Sequence, residues 1–146
     1  MGVLTDFVVA DLNEAQKVGE SGAPYKEYNG IDAKGIDQVK MGTLYAILSG
    51  TEYDPEFLTS EESFLYTGSE DGPWVQHVPN TLTSLLAKLS ADDIPRIAEA
   101  WGKTEEFDPS YSGWSLEDIN AFLLEISKLA LLAIHENKAL LMWMCL

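Results

Sequence analysis

Apolar residues recur along this chain with two periods, one helical and one extended, and the longest helical pattern lies in its last third. Over Ser115–Glu136, the residues Leu116, Ile119, Phe122, Leu123, Leu124, Ile126, Leu129, Ala130, Leu131, Ala133 and Ile134 cover roughly 220° of a helix at about 100° per residue. Ser115 and Asp118 have the spacing of a capping box, and Trp114 is placed to close over Ile119 as a hydrophobic staple. Glu117, Asp118, Glu125, Lys128, His135 and Glu136 leave a narrow wet stripe. A helix this apolar is expected to be surrounded by the rest of the fold.

Three further stretches repeat the helical spacing. Over Ile36–Ser49, Ile36, Val39, Thr43, Ala46 and Ile47 share a face widened by Leu44 and Leu48, and Gly50 is placed to end the helix. Leu82, Leu85, Leu86 and Leu89 predict a helix over 79–89, and Ile94, Ile97, Ala98 and Trp101 predict another that Ser90, Asp92 or Asp93 caps and Gly102 ends. The short link between these two predicts a tight corner or an antiparallel pair. A brief helix is expected over 13–20, and Asp54-Pro55-Glu56 has the order of a new helical turn.

The extended patterns are shorter. Val3–Ala10 is β-branched and apolar enough for a strand, and the run Ala139–Leu146 reads as a buried strand paired with it. Ser63–Thr67 and Trp74–Val78 form a hairpin pattern around the turn signal Asp71-Gly72, whereas Tyr25–Gly30 reads as an exposed linker. The predicted fold is α+β: a single domain over residues 1–146. It is mainly helical, with about five helices around the axial one and a small, mainly antiparallel sheet that includes the N- and C-terminal strands.

Charge narrows the function classes. Nine Lys and Arg face 24 Asp and Glu, a net charge of −15. Such a surface repels phosphate backbones and anionic headgroups, so neither nucleic acid nor membrane is an expected partner. The single Cys145 forms no internal disulfide, the first sixteen residues carry no Lys or Arg, and no apolar run reaches the ~20 residues of a membrane span. A cytoplasmic location is expected.

Candidate chemistry is sparse. Asp108, Ser110, Ser112 and Gly113 mimic the start of a calcium-binding EF-hand loop, but Ile119 stands where that loop needs a bidentate glutamate. A turn feeding a helix cap accounts for them. His77 and His135 lack the spacing of metal ligands, and no nucleophile elbow, phosphate-binding loop or dinucleotide fingerprint occurs, so neither metal nor cofactor is expected. Cys145, deep in an apolar run, reads as core, and the many adjacent carboxylates read as capping and solvation.

One charge feature stands out. From Met41 to Ala87 there is no Lys or Arg, while Glu52, Asp54, Glu56, Glu61, Glu62, Glu70 and Asp71 are all acidic. A face of one sign steers a partner of the opposite sign. The leading expectation is therefore a non-enzymatic protein-binding module, such as an inhibitor or immunity-like protein, that meets a basic partner through Glu61, Glu62, Glu70, Asp71 and Trp74. The alternative is a small-molecule-binding protein or enzyme with a pocket near Tyr66, Trp74 and His77. A third reading uses Leu140–Leu146 as a surface for a second copy.

Overall fold

The structure, a computed structural model, describes residues 3–110 and 112–146. Its sheet is organised around a strand with no polar side. Strand β5 (Ala139–Cys145) buries every side chain from Ala139 to Met144. β1 (Leu4–Ala10) pairs with it antiparallel along its whole length, from Leu4 opposite Cys145 to Ala10 opposite Ala139. β2 (Asn29–Asp32) extends the sheet beyond β1, and β4 (Trp74–His77) and β3 (Phe64–Thr67) extend it beyond β5. The order is β2-β1-β5-β4-β3, antiparallel throughout.

Alternation along the strands sorts the core into two layers. Phe7, Val9, Leu140, Met142 and Met144 point to one face, and Val8, Ala10, Val75, Leu141 and Trp143 to the other. The second layer is thin. It is covered by Ala15 and Val18 of helix α1 (Ala15–Glu20), and the Trp143 indole N–H donates to the Gly19 carbonyl at 3.4 Å. The first layer carries α3 (Gln38–Ser49), α4 (Asn80–Ala87), α5 (Ile94–Gly102) and α6 (Leu116–His135). With the single turn α2 (Pro24–Glu27) these make six α-helices among the described residues, in the α+β domain that the periodicity predicts.

Local chemistry starts α6 and stops α3 where expected. The Asp118 N–H donates to the Ser115 hydroxyl at 3.1 Å and the Ser115 N–H to the Asp118 carboxylate at 2.9 Å, closing the capping box of α6. Gly50 ends α3 with φ of 70°, a conformation that a side chain disfavours. Trp101, fully buried, donates its indole N–H to the Lys40 carbonyl at 2.9 Å. Its ring meets those of Phe107 and Phe122 at 4.9 and 5.8 Å, locking α3 and α5 to α6.

The structure corrects four expectations. First, α6 is not surrounded. Its apolar arc is wider than the sheet, α4 and α5 cover, and Leu116, Leu124, Leu131 and Ile134 are left 53, 41, 44 and 48% exposed. Second, α3 buries Met41, Gly42 and Leu44 instead of the Val39 face. The helix begins only at Gln38, and Ile36 reaches the core from an extended approach on which its carbonyl accepts the Thr5 hydroxyl at 2.5 Å. Third, the supposed linker Tyr25–Gly30 contributes to α2 and the edge strand β2, tied down where the Tyr25 N–H donates to the Asp6 carboxylate at 3.0 Å. Fourth, within the Leu140–Leu146 run the side chains of Leu140–Met144 belong to the core, while Leu146 is 70% exposed. No helix among the described residues is long and apolar enough to cross a membrane.

Asp6 is 4% exposed in this interior, and burial raises its pKa, with the Tyr25 N–H working against the rise and Asp32 adding to it. A raised carboxyl pKa means that the native state holds the proton more tightly than the unfolded chain. Ionising Asp6 therefore costs stability as pH climbs above the ordinary aspartate range. Asp6→Asn, which keeps an acceptor for Tyr25, is expected to stabilise the fold at about pH 7.5 and to lose that advantage at about pH 3, as read by urea denaturation at both values.

Candidate functional site

An open cleft of about 1050 Å³ lies at one end of the sheet. Its walls come from four places: the N-terminal half of α6 with the residues just before it, the loop from β2 to α3, the first turn of α3, and the strand ends that carry Trp74 and Met144.

The β2–α3 loop is shaped by tight local bonds. The Asp32 carboxylate accepts from the Lys34 N–H at 3.2 Å, and the Gly35 N–H donates to the Val3 carbonyl at 2.9 Å. Gly35 has φ of 93°, and a Cβ there would stand 3.1 Å from the Trp114 indole nitrogen. Only glycine lets Trp114 lie against this loop and donate to the Lys34 carbonyl at 3.2 Å. The Trp114 ring meets Phe122 at 5.8 Å and Phe107 at 6.3 Å, giving the cleft an aromatic wall.

Four carboxylates and two ammonium groups line the cleft: Asp32, Asp37, Asp118 and Glu125 against Lys34 and Lys40. Three of the acids also cap backbone. Asp37 accepts the Lys40 N–H at 2.9 Å, and Asp118 accepts from the Ser115 backbone and hydroxyl, which holds its carboxyl below the usual range. Lys40 is occupied too. Its side chain is 12% exposed, with the ammonium 3.8 Å from Asp37 and 5.5 Å from the centre of the Phe107 ring. Glu125 and the Lys34 ammonium have no hydrogen-bond or ion-pair partner among the described residues.

Behind the cleft lies a buried polar chain. Gln76, fully buried in β4, donates its amide N–H groups to the Leu58 carbonyl and, at 3.2 Å, to the Ser63 hydroxyl. Its oxygen accepts from the Gln38 amide nitrogen at 3.0 Å, and Gln38 lines the cleft.

The sequence-predicted residues are distributed unevenly around this site. Trp74, half-buried, stands in the cleft wall, and its indole N–H has no acceptor among the described residues, whereas those of Trp101, Trp114 and Trp143 are all engaged. Glu70 and Asp71 lie exposed in the turn that leads into Trp74, where the Asp71 carbonyl accepts the Leu146 N–H at 3.0 Å. Glu61 and Glu62 are exposed at the opposite end of β3, about 13 Å of strand away at ~3.3 Å per residue. The acidic segment is therefore split between two ends of the hairpin. The three-residue pocket is not assembled. Tyr66 packs with the α1 layer and Trp74 with the opposite one, and His77, three residues on from Trp74 in the same strand, faces away from it. Burial lowers the His77 pKa, and a bond with Asn80 partly offsets this. Tyr111 lies outside the described residues.

Gln38, Gln76, Lys34 and Glu125 are not among the candidate site residues that the sequence offers. The available signal was Gln76, a polar residue inside a strand beside Val75 and Val78. No protein-family model, curated protein or solved structure matches the chain.

Gln76→Leu leaves the Leu58 carbonyl and the Gln38 amide without their partner, and is expected to cost about 1–3 kcal/mol in urea denaturation. Gln38→Leu, on a half-exposed position, is expected to cost less than Gln76→Leu in the same measurement.

Proposed function

We propose that this chain is a non-enzymatic binding module that receives a basic protein partner at the cleft and on the adjoining Glu70–Asp71 turn, with Trp74 as the anchor. The observation that carries the reading is the coincidence, at one concavity, of a tryptophan whose indole N–H has no partner among the described residues with an excess of carboxylates over ammonium groups. Tryptophan is over-represented among residues that dominate interface energetics, because a large ring buried in a cleft excludes water around itself. The surrounding carboxylates, on a chain of net charge −15, accelerate the approach of a cationic partner. Glu61 and Glu62, at the far end of the hairpin, add to that field without touching the site.

A second reading places a small molecule in the same cleft. Its volume of about 1050 Å³ is at the upper end of the range that such ligands occupy, and Trp74, Trp114 and Phe122 give it aromatic walls.

Affinity capture at low and high salt, read by mass spectrometry, tests the first reading. Basic proteins should be retained at low salt and released at high salt. The double reversal Glu70→Lys with Asp71→Lys should abolish retention without lowering the melting temperature, while Glu61→Lys with Glu62→Lys should only weaken it. Retention that survives the first pair counts against this face. The small-molecule reading predicts instead a rise in melting temperature with particular compounds of a metabolite panel, lost in Trp74→Ala.

A further inference from the structure

The buried amide chain determines which atom of Gln38 the cleft meets. A backbone carbonyl only accepts, so Gln76 must turn its amide nitrogen to Leu58 and its oxygen to Gln38. Gln38 must then turn its own nitrogen to Gln76. Its oxygen is left over, with no donor among the described residues, on a side chain that lines the cleft. Gln38 thus offers a fixed acceptor whose direction is set by a carbonyl on the turn at Leu58.

Among the other unengaged groups the carboxylates have the same polarity, whereas the Trp74 indole N–H and the Lys34 ammonium are donors. Glu125 only accepts, and one oxygen of the Asp118 carboxylate remains after the cap is made. The Lys40 charge is matched by Asp37 and its ammonium is enclosed, which leaves Lys34 as the cation without an ion-pair partner in the cleft lining. Trp74 and Trp114 add flat faces. A site in which unengaged acceptors outnumber donors, with net negative charge and indole walls, suits a planar cation with many donors and no acceptor.

We propose that the cleft takes a guanidinium group, presented by an arginine of the basic protein partner. The inference rests on the reading above that the occupant is such a protein. A guanidinium carries five N–H donors in one plane, is weakly hydrated and stacks on indole, whereas an ammonium is compact, strongly hydrated and lacks the plane. The cleft therefore discriminates between the two basic side chains.

The test titrates the whole chain with hexa-arginine, hexalysine and N-acetyl-arginine amide at low salt, following tryptophan fluorescence. Hexa-arginine should bind about ten-fold or more tighter than hexalysine, and Trp74→Ala and Gln38→Leu should each remove most of that difference. Glu125→Gln, at an exposed position on α6, should weaken hexa-arginine more than hexalysine and is not expected to perturb folding. Paired Glu61→Gln and Glu62→Gln should leave the ratio unchanged. N-acetyl-arginine amide should bind weakly with the same sensitivity to Trp74→Ala. If it binds as tightly as hexa-arginine, the source is a small guanidino compound and the protein-arginine proposal is overturned. Equal affinity for the two peptides overturns the guanidinium site while leaving a basic partner in place. If neither peptide binds, both readings are overturned together.

Discussion

A strand with no polar face can sit only where both of its sides are covered, and β5 imposes that condition on everything else. From Ala139 to Met144 each side chain is buried, so the strand takes the centre of the sheet and needs a neighbour on each edge and a layer on each face. β1 supplies one neighbour, the β3–β4 hairpin supplies the other, and helices cover both faces. The two layers are unequal because the supply of apolar helix is unequal. The short α1 covers Leu141 and Trp143, while four longer helices cover Leu140, Met142 and Met144. The cleft follows from the same arrangement. Pairing of β4 with β5 sets Trp74 opposite Met144, at the sheet end that the start of α6 overhangs.

The aromatic group Trp101, Phe107, Trp114 and Phe122 links this sheet end to the helices, with ring centres 4.9–6.3 Å apart. Such pairs add to area burial through edge-to-face electrostatics, and here they also fix the wall of the cleft. Gln76 acts from the other side. A buried amide is costly unless its donors and acceptor are all used, and in this position they are, which ties β4 to α3 and to the turn at Leu58 in one geometry. Rigid support of this kind holds the amide of the half-exposed Gln38 in place at the cleft.

The net charge of −15 is not spread as the chain order suggests. The acids from Glu52 to Asp71 are contiguous in sequence, yet the hairpin carries Glu61 and Glu62 to one end and Glu70 and Asp71 to the other. The cleft takes its carboxylates from β2, the cap of α3 and α6 instead, and α6 lies far from the other two in the chain. Electrostatics at a site depends on which elements meet there, and composition records only the sum.

What the sequence by itself determined was everything governed by neighbours within a few residues. The Ser115–Asp118 box, the Gly50 stop, the hairpin around Asp71-Gly72 and the uninterrupted apolar run of β5 are local, and each is present where its pattern lies. Trp74 was legible as a candidate because its polar turn is also local. Tertiary structure alone decided the rest. The exposed side of α6 depends on how much area its neighbours cover, the edge strand β2 depends on an Asp6 nineteen residues before Tyr25, and the Gln38–Gln76 bond joins residues 38 apart. Tyr66 and His77 were grouped with Trp74 by proximity in sequence, and the two-residue alternation of the strands sent them to the other face. A binding site is built from long-range contacts, whose geometry no local period encodes.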